Sequence, residues 1–576
     1  MQVIQRGLTY MRPYLGLAIG AFVSMLIVTA TNLYTPQLIQ QLIDDGIEAQ
    51  DWNGIIAATI GLLVVAIVRG IFNYTNAYWA ETSSQGVAYD LRNEVFTKLE
   101  NLSFSYHDTH NVGQLMTRTT SDVEGVRNFF AQGILQLISA LITFIGSAAI
   151  LFLTDWRLAL AAVSVIPVII GIFAYIFGQM GPLFGRVQKN LGLLNNVLQE
   201  NIEGVRVIKG FTAESRELAK YTAQNQQLYN ENINVIKVFS TGFPTVFLMA
   251  NIATLIVIWY GGSRVVSEAL SLGTLVAFNS YLTYLVQPIF QLGMISQQLA
   301  RAQASGSRIF EVLDAVEEIK NPANPIQITD NTKGHIRFND VHFHYPGIAQ
   351  GTLYDISFEA KPGDTIALLG PTGSGKSSIV NLLPRFYDVT EGSVTIDGKD
   401  VRQFDLDSLR HEIGICLQNV QLMKGSIRDN IRYGKPEATQ EEVEEAARIA
   451  QAHDFIITLP NQYDTDVGEG GSSLSGGQRQ RVAIARTLLV QPSMLIFDDS
   501  MSAVDAETEV KLRQALRPFL TKLTAFIIAQ RISTVREATL ILVIDNGRII
   551  AQGTHKELLK SSPYYADIVH SQLEAS

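Results

Sequence analysis

Through about the first 300 residues the chain alternates long apolar runs with polar connections, and beyond about residue 335 the apolar runs shrink to strand length. Six runs, 15–34, 55–74, 134–153, 158–177, 238–260 and 270–290, have the roughly 20 residues that a helix needs to cross a bilayer. The first lacks a small-residue cleavage site, is too long for a cleaved signal peptide and is followed by further runs, so it is expected to remain as a span.

The connections between runs are unequal. Those at 35–54, 154–157 and 261–269 are short, whereas 75–133 and 178–237 are long and polar. The long pair carries Arg92, Lys98, Arg118, Arg127, Arg186, Lys189, Arg206, Lys209, Arg216, Lys220 and Lys237, against only Arg157 and Arg264 in the short ones. Basic residues are retained on the cytoplasmic side, so the long connections and both termini are expected there. Structureless connections of that length are uncommon. Both have helical composition, as in LRNEVFTKLENL at 91–102 and LGLLNNVLQENIEGVRVIKGF at 191–211. Spans two to five are therefore predicted to continue as helices into the cytoplasm, with small turns near 111–118 and 211–217. Arg69 is the one basic residue inside a run; it either reaches the interface from near the inner end or faces a cavity. Asn251, Asn279, Tyr281, Tyr284 and Gln287 suit either a substrate path or hydrogen bonds between helices.

Composition sharpens this division. Hydrophobic residues make up 47% of the 576 and charged residues 17%, with a mean hydropathy of +0.16 that averages two unlike halves. The expected organisation is a transmembrane domain at 1–315, a linker at 316–334 containing Pro322 and Pro325, and a soluble α/β domain at 335–576. The single cysteine, Cys416, excludes an internal disulfide framework and is read as a small buried apolar residue. A net charge of −10 gives no support to a nucleic-acid partner.

The candidate chemistry lies in the second half. HIRFNDVHF at 335–343 alternates like a strand, and TIALL at 365–369 is a second, buried one. Directly after it come Gly370, Pro371, Thr372, Gly373, Ser374, Gly375, Lys376 and Ser377, then an apolar helix that begins with Ser378. GxxxxGKS between strand and helix is the context of a phosphate-binding P-loop. Its glycines let backbone N–H groups curl around phosphates, and the helix N-terminus adds a favourable dipole. Lys376 is expected to reach the β- and γ-phosphates and Ser377 to offer a hydroxyl to Mg²⁺, so ATP and Mg²⁺ are the predicted cofactors. The stretch SMLIFDDSMSAVD at 493–505 reads as a buried strand ending in two acids, and Asp498 is assigned to the Mg²⁺ shell. Leu474 and the Ser475, Gly476, Gly477 and Gln478 that follow it precede an apolar helix. They suit either a phosphate-binding helix N-terminus or a simple N-cap.

LSGGQ upstream of that acidic strand, behind six apolar runs, resembles the ABC transporter superfamily. Within it the whole chain is similar to the half-size type IV exporters, often called type I exporters. The fold this implies is an α-helical six-span transmembrane domain with long cytoplasmic helix extensions, followed by an α/β P-loop ABC nucleotide-binding domain. The resemblance places Tyr345 on the adenine ring, Gln418 beside Mg²⁺, and residues 465–469 and 502–505, ending in Asp505, in the X-loop and D-loop. It implies that LSGGQ closes on the nucleotide held by a partner, and therefore that the chain dimerises. It also implies a bacterial, multi-pass protein of the cell membrane whose nucleotide-binding domain faces the cytoplasm.

Two positions depart from the family pattern. The catalytic position after Asp498 holds Asp499 where the family has glutamate, which retracts the carboxylate by roughly 1.5 Å. The position before Arg531 holds Gln530 where the family has histidine; glutamine donates a hydrogen bond but has no cationic form. The pair implies a site that binds ATP and cleaves it slowly, as in one subunit of the bacterial heterodimeric multidrug exporters. The expected partner is a second half-transporter with a competent glutamate, and the expected cargo is hydrophobic or amphipathic. Alternatives within the fold are a lipid flippase or a peptide exporter, the latter disfavoured because no N-terminal peptidase domain is found. A mainly regulatory ATP-binding subunit is the alternative of a different class.

Overall fold

A computed structural model of the chain describes residues 2–328, 332–348, 351–498, 505–528 and 532–574. It divides into two compact units, Met1–Glu100 with Gly113–Ala315, and Asn101–Val112 with Val316–Ser576.

The first unit is helical. Its main elements are α1 (Leu15–Gln41), α2 (Trp52–Asn101), α4 (Ser121–Asn128), α5 (Ile134–Thr154), α6 (Ile166–Glu203), α7 (Glu214–Ile256) and α8 (Leu272–Leu313), while α3 (Phe104–Thr109) belongs to the second unit. Five segments, Arg12–Glu48, Trp52–Asn101, Val112–Thr154, Trp156–Glu203 and Glu214–Val266, are long and apolar enough to cross a membrane. The sixth expected run lies within the 42-residue α8 but is not among them, because Asn279, Ser280, Thr283, Tyr284 and Gln287 dilute its apolar character. At 50 residues, α2 is more than twice the length that hydrocarbon requires, so its continuation beyond the bilayer follows from length alone. Ile60, Leu63, Val64, Ile67 and Ile71 are exposed along it, an apolar outer surface suited to lipid.

Polar contacts tie this bundle together at its ends. In the short connections, Asp155 accepts from the backbone of Arg157 and Leu158 at 3.0 Å each and forms an ion pair with Arg264. Asp44 accepts from Gly273 N at 2.8 Å and Ser271 Oγ at 2.6 Å, joining the chain just beyond α1 to the start of α8. Arg69 donates to Asn32 Oδ1 at 3.3 Å across the α1–α2 seam. The antiparallel pair α6 and α7 is linked by Arg186 to Glu231 at 3.0 Å and by Lys220 to Glu200 at 2.8 Å. Its turn is at Phe211 and Thr212, with α7 already begun at Glu214, so the turn is shorter than the expected 211–217.

The other expected turn is displaced. Residues 112–119 form a helix, and the chain bends earlier, where Ser103 and His110 are extended on either side of α3. Gly113 lies inside the helix that follows the bend.

The second unit contains two sheets. One has the order β10-β9-β3-β8-β7-β6, built from β3 (Thr365–Leu369), β6 (Ile413–Cys416), β7 (Met494–Asp498), β8 (Thr524–Ile528), β9 (Leu540–Asp545) and β10 (Arg548–Gly553). All pairings are parallel except that of β10. The other sheet, β2-β1-β4-β5, is antiparallel and comprises β1 (Ile336–Phe343), β2 (Leu353–Ala360), β4 (Glu391–Ile396) and β5 (Lys399–Asp400). Helices α9 (Lys376–Leu382), α10 (Gly476–Leu489) and α11 (Ala506–Leu520) cover the parallel sheet. That sheet is buried on both faces, which is why β3, β7 and β8 read as continuous apolar runs. Cys416 is buried at the end of β6.

Within the first unit, Arg308 of α8 grips Asp122 of α4 through Nε at 2.8 Å and through Nη2. Burial alone would raise the Asp122 carboxyl, but bonds from Arg308 and Ser305 hold it below its ordinary value. The contribution of the pair is therefore complete at neutral pH and disappears as the pH falls through that lowered value. Arg308→Ala, which strands the buried carboxylate, is expected to cost about 2 kcal/mol at neutral pH, Arg308 itself being half exposed. Thermal unfolding in detergent reads this directly, and the gap to wild type should close in acid.

Candidate functional site

The end of β3 delivers the chain into a loop that only glycine can make. At Gly370 (φ +156°) an added Cβ would lie 2.0 Å from the Ile544 carbonyl oxygen, and Gly373 and Gly375 are left-handed at +83° and +100°. Gly375 occupies the N-cap of α9, so the first N–H groups of the helix open toward the loop. Lys376 Nζ donates to the carbonyls of Gly370 (3.0 Å) and Pro371 (2.7 Å). Among the described residues Ser374 Oγ has no partner and is buried. Ser377 bonds to Asp498 at the tip of β7. Burial pushes the Asp498 carboxyl upward, while that bond and the Lys376 charge pull it back.

These groups converge on a cavity of about 410 Å³, lined by Tyr345, Thr372, Gly373, Gly375, Lys376, Ser377, Ser378, Gln418 and Asp498 together with Thr352 and Ile528. Backbone donors, one ammonium, several hydroxyls and one carboxylate form a set suited to a polyphosphate and a hard cation. Gly370, Pro371 and Ser374 complete the loop itself. Ser475, Gly476, Gly477 and Gln478 do not line this cavity. Ser475 caps α10 and forms a reciprocal capping box with Gln478, with contacts of 3.3 and 2.8 Å. Asp505 likewise caps α11, accepting from Thr508 N at 2.9 Å. Asp499 and Gln530 lie outside the described residues.

The sequence reading named Tyr345 but missed the residues behind it. Tyr345 bonds to Ser378 at 3.0 Å and meets Tyr387 edge to face, with ring centroids 5.1 Å apart. Tyr387 donates in turn to Asp108 of α3 at 2.5 Å, and Phe104 of α3 packs 4.4 Å from Phe386. Ser105 donates to Glu318. Burial and the Asp108 bond push the Tyr387 phenol above its ordinary range, so it remains a neutral donor. An aromatic pair shortly after the P-loop helix was the available clue.

The first unit holds a separate cavity of about 650 Å³ between α5, α6 and α8, bounded by residues such as Phe144, Phe173, Phe177, Ile289 and Gln297. None of its lining residues is charged. Phe173 stacks on Phe177 at 5.8 Å and meets Phe290 edge-on at 4.6 Å. Phe177 fits because position 293 is glycine, where a Cβ would lie 1.9 Å from its ring. Asn251, Asn279, Tyr281, Tyr284 and Gln287, which suited either a substrate path or hydrogen bonds between helices, are not among the residues lining this cavity. Asn251 bonds to Phe247 O of its own helix at 2.9 Å, and Tyr281 donates to Leu33 O of α1 at 2.6 Å.

Known proteins share this combination. Residues 18–289 match the ABC transporter transmembrane region, and 353–502 match the family described as ABC transporter. The uncharacterised ABC transporter ATP-binding protein YknU of Bacillus subtilis is 36% identical over 573 residues, covering 99% of this chain and 98% of its own. YgaD of the same organism, which by provisional name is a multidrug export ATP-binding/permease protein, is 33% identical over 571 residues, 98% of each chain. A solved bacterial Atm1-family ABC exporter with ATP bound superposes with a TM-score of 0.81 at 28% identity, covering 96% of this chain and 98% of that one.

Stacking of a base on an aromatic ring is worth about 1–3 kcal/mol. With Tyr345 on the adenine ring, as the family resemblance implies, Tyr345→Ala is expected to weaken ATP binding roughly tenfold or more. Tyr345→Phe, which loses only the Ser378 bond, should stay close to wild type. Titration with a fluorescent ATP analogue distinguishes the two.

Proposed function

The chain belongs to the ABC transporter family, whose members couple ATP hydrolysis to transport, and we propose that it is the slow-hydrolysing half of a heterodimeric exporter of hydrophobic or amphipathic small molecules. The observation that carries this reading is the mismatch between its motifs: LSGGQ is intact at 474–478, whereas Asp499 and Gln530 stand at the catalytic positions. On this reading the chain's own P-loop holds ATP for long periods. Its Ser475, Gly477 and Gln478 complete a competent site on a partner subunit, which supplies the glutamate.

Mg²⁺ fits the same groups. Ser377, Gln418 and Asp498 offer only oxygen ligands around one cavity. Among the described residues no group of three or more His, Cys, Asp or Glu could make an all-protein cage, so phosphate oxygens would complete the shell. The uncharged aromatic cavity between α5, α6 and α8 supports a hydrophobic cargo, since any charge moved into it would lose its hydration without a partner. The Tyr345–Tyr387–Asp108 contacts support a route from nucleotide to helices, because α3 is covalently continuous with α2 on one side and leads into α4 on the other. Both termini and the long connections face the cytoplasm on this reading, where ATP is supplied.

The test uses the purified chain alone and then with its partner. Alone, it should hydrolyse ATP slowly, and Asp499→Glu combined with Gln530→His should raise the rate on the order of tenfold or more. In the pair, Asp499→Asn should leave most turnover intact. Abolition of turnover by Asp499→Asn would overturn the assignment.

A further inference from the structure

Helix α6 presents cavities on two of its faces, and they differ in chemistry. Ile170, Phe173, Ala174, Phe177 and Met180 line the uncharged cavity shared with α5 and α8. Val168, Gly171, Ile172, Tyr175 and Gln179 line a second cavity of about 740 Å³ against α7. On the α7 side that second cavity is bordered by Lys237, Val238, Thr241 and Thr245. Its only charge is Lys237, whose ammonium has no acidic partner among the described residues; nearby Glu231 is already taken by Arg186 at 3.0 Å.

The depth of this cavity follows from helix register. Ile176 packs directly on Gly242, and Arg186 pairs with Glu231, so the antiparallel helices bring Gln179 level with Lys237. Two independent runs of sequence, ending at residue 177 on α6 and beginning at 238 on α7, put that level at the edge of the hydrocarbon. From Gln179 the cavity extends to Val168, a helical rise of roughly 16 Å. That matches one leaflet of a bilayer whose core is about 30 Å thick. Lys237 and Gln179 stand at the headgroup end, while Val168, Gly171 and Ile172 line the deeper end, where Thr245 is the polar residue opposite them and its hydroxyl is bonded to Thr241 O at 2.7 Å. Beyond this edge lies the long basic connection 178–237, so on the orientation proposed above the edge is the cytoplasmic one.

We infer that the α6–α7 cavity is a binding site for an acidic phospholipid of the cytoplasmic leaflet, its phosphate at Lys237 and Gln179 and one acyl chain along Val168, Gly171 and Ile172. The site is separate from the cargo cavity and rests on the export reading only for its orientation. A cation at this depth contributes about fivefold in affinity for an acidic headgroup.

The experiment reads lipid contact without ATP or cargo, so it stands or falls independently of transport. The full chain, alone and with its partner, is placed in nanodiscs containing photoactivatable phosphatidylglycerol or photoactivatable phosphatidylcholine, and labelled peptides of α6 and α7 are quantified. Phosphatidylglycerol should label these helices in preference to phosphatidylcholine. Lys237→Gln should reduce that labelling about fivefold, and Lys237→Arg should restore it. Gly171→Leu should also block it, by filling the cavity from a position where an added Cβ meets nothing within 4 Å. Equal labelling by both lipids, or labelling indifferent to Lys237→Gln, would overturn the proposal by showing an ordinary lipid-facing surface. Loss of labelling when the partner is added would overturn it as well, by showing that a partner helix covers the groove.

Discussion

The nucleotide site depends on one register. In the parallel sheet, Leu368 of β3 and Asp498 of β7 are both level with Ile528 of β8, the strand between them. That spacing sets the start of the P-loop and the acidic strand tip roughly 10 Å apart, a gap that Ser377 on the first turn of α9 bridges by bonding to Asp498. A slip of one residue in either pairing would turn Asp498 to the opposite face of the sheet. Burial on both faces is what prevents the slip, since β3 and β8 would then strand apolar side chains against the wrong layer.

From this fixed point the chain carries two kinds of outward connection. One is aromatic and passes from Tyr345 to Tyr387 and on to Asp108 and Phe104 of α3. The other is the signature segment, whose Ser475 and Gln478 are committed to capping α10 and which takes no part in the chain's own phosphate cavity. A segment so built, stiffened by its own cap and left outside its own site, suits a role on another subunit. The proposed division of labour between two unlike sites follows from that placement together with the identities of Asp499 and Gln530.

Much of this was legible in the sequence because it is local. The P-loop, the acidic strand and the signature helix are each written in a dozen consecutive residues, and the structure brings the first two together as expected. The helical extensions were legible for the same reason, as composition over long windows. What was not legible is non-local. Tyr387 and Asp108 are 279 positions apart, and nothing near either one announces the other. The bend was expected at 111–118, yet tertiary contacts of Phe104 and Asp108 place it earlier, around α3. In the membrane unit, the polar residues suited either a path or hydrogen bonds between helices; Tyr281 makes such a bond to Leu33 O, Asn251 bonds within its own helix, and the cavity is walled by phenylalanines from separate helices. Asp499 and Gln530 carry their meaning by residue type alone.

The central claim is that this subunit holds intact ATP through a turnover of the pair. The most direct measurement is to load the assembled transporter with photoreactive ATP labelled on either the α- or the γ-phosphate, allow one turnover, crosslink, and separate the subunits. The account predicts that this chain retains the γ-label in proportion to the α-label while the partner loses it. Equal loss of the γ-label from both subunits would contradict it.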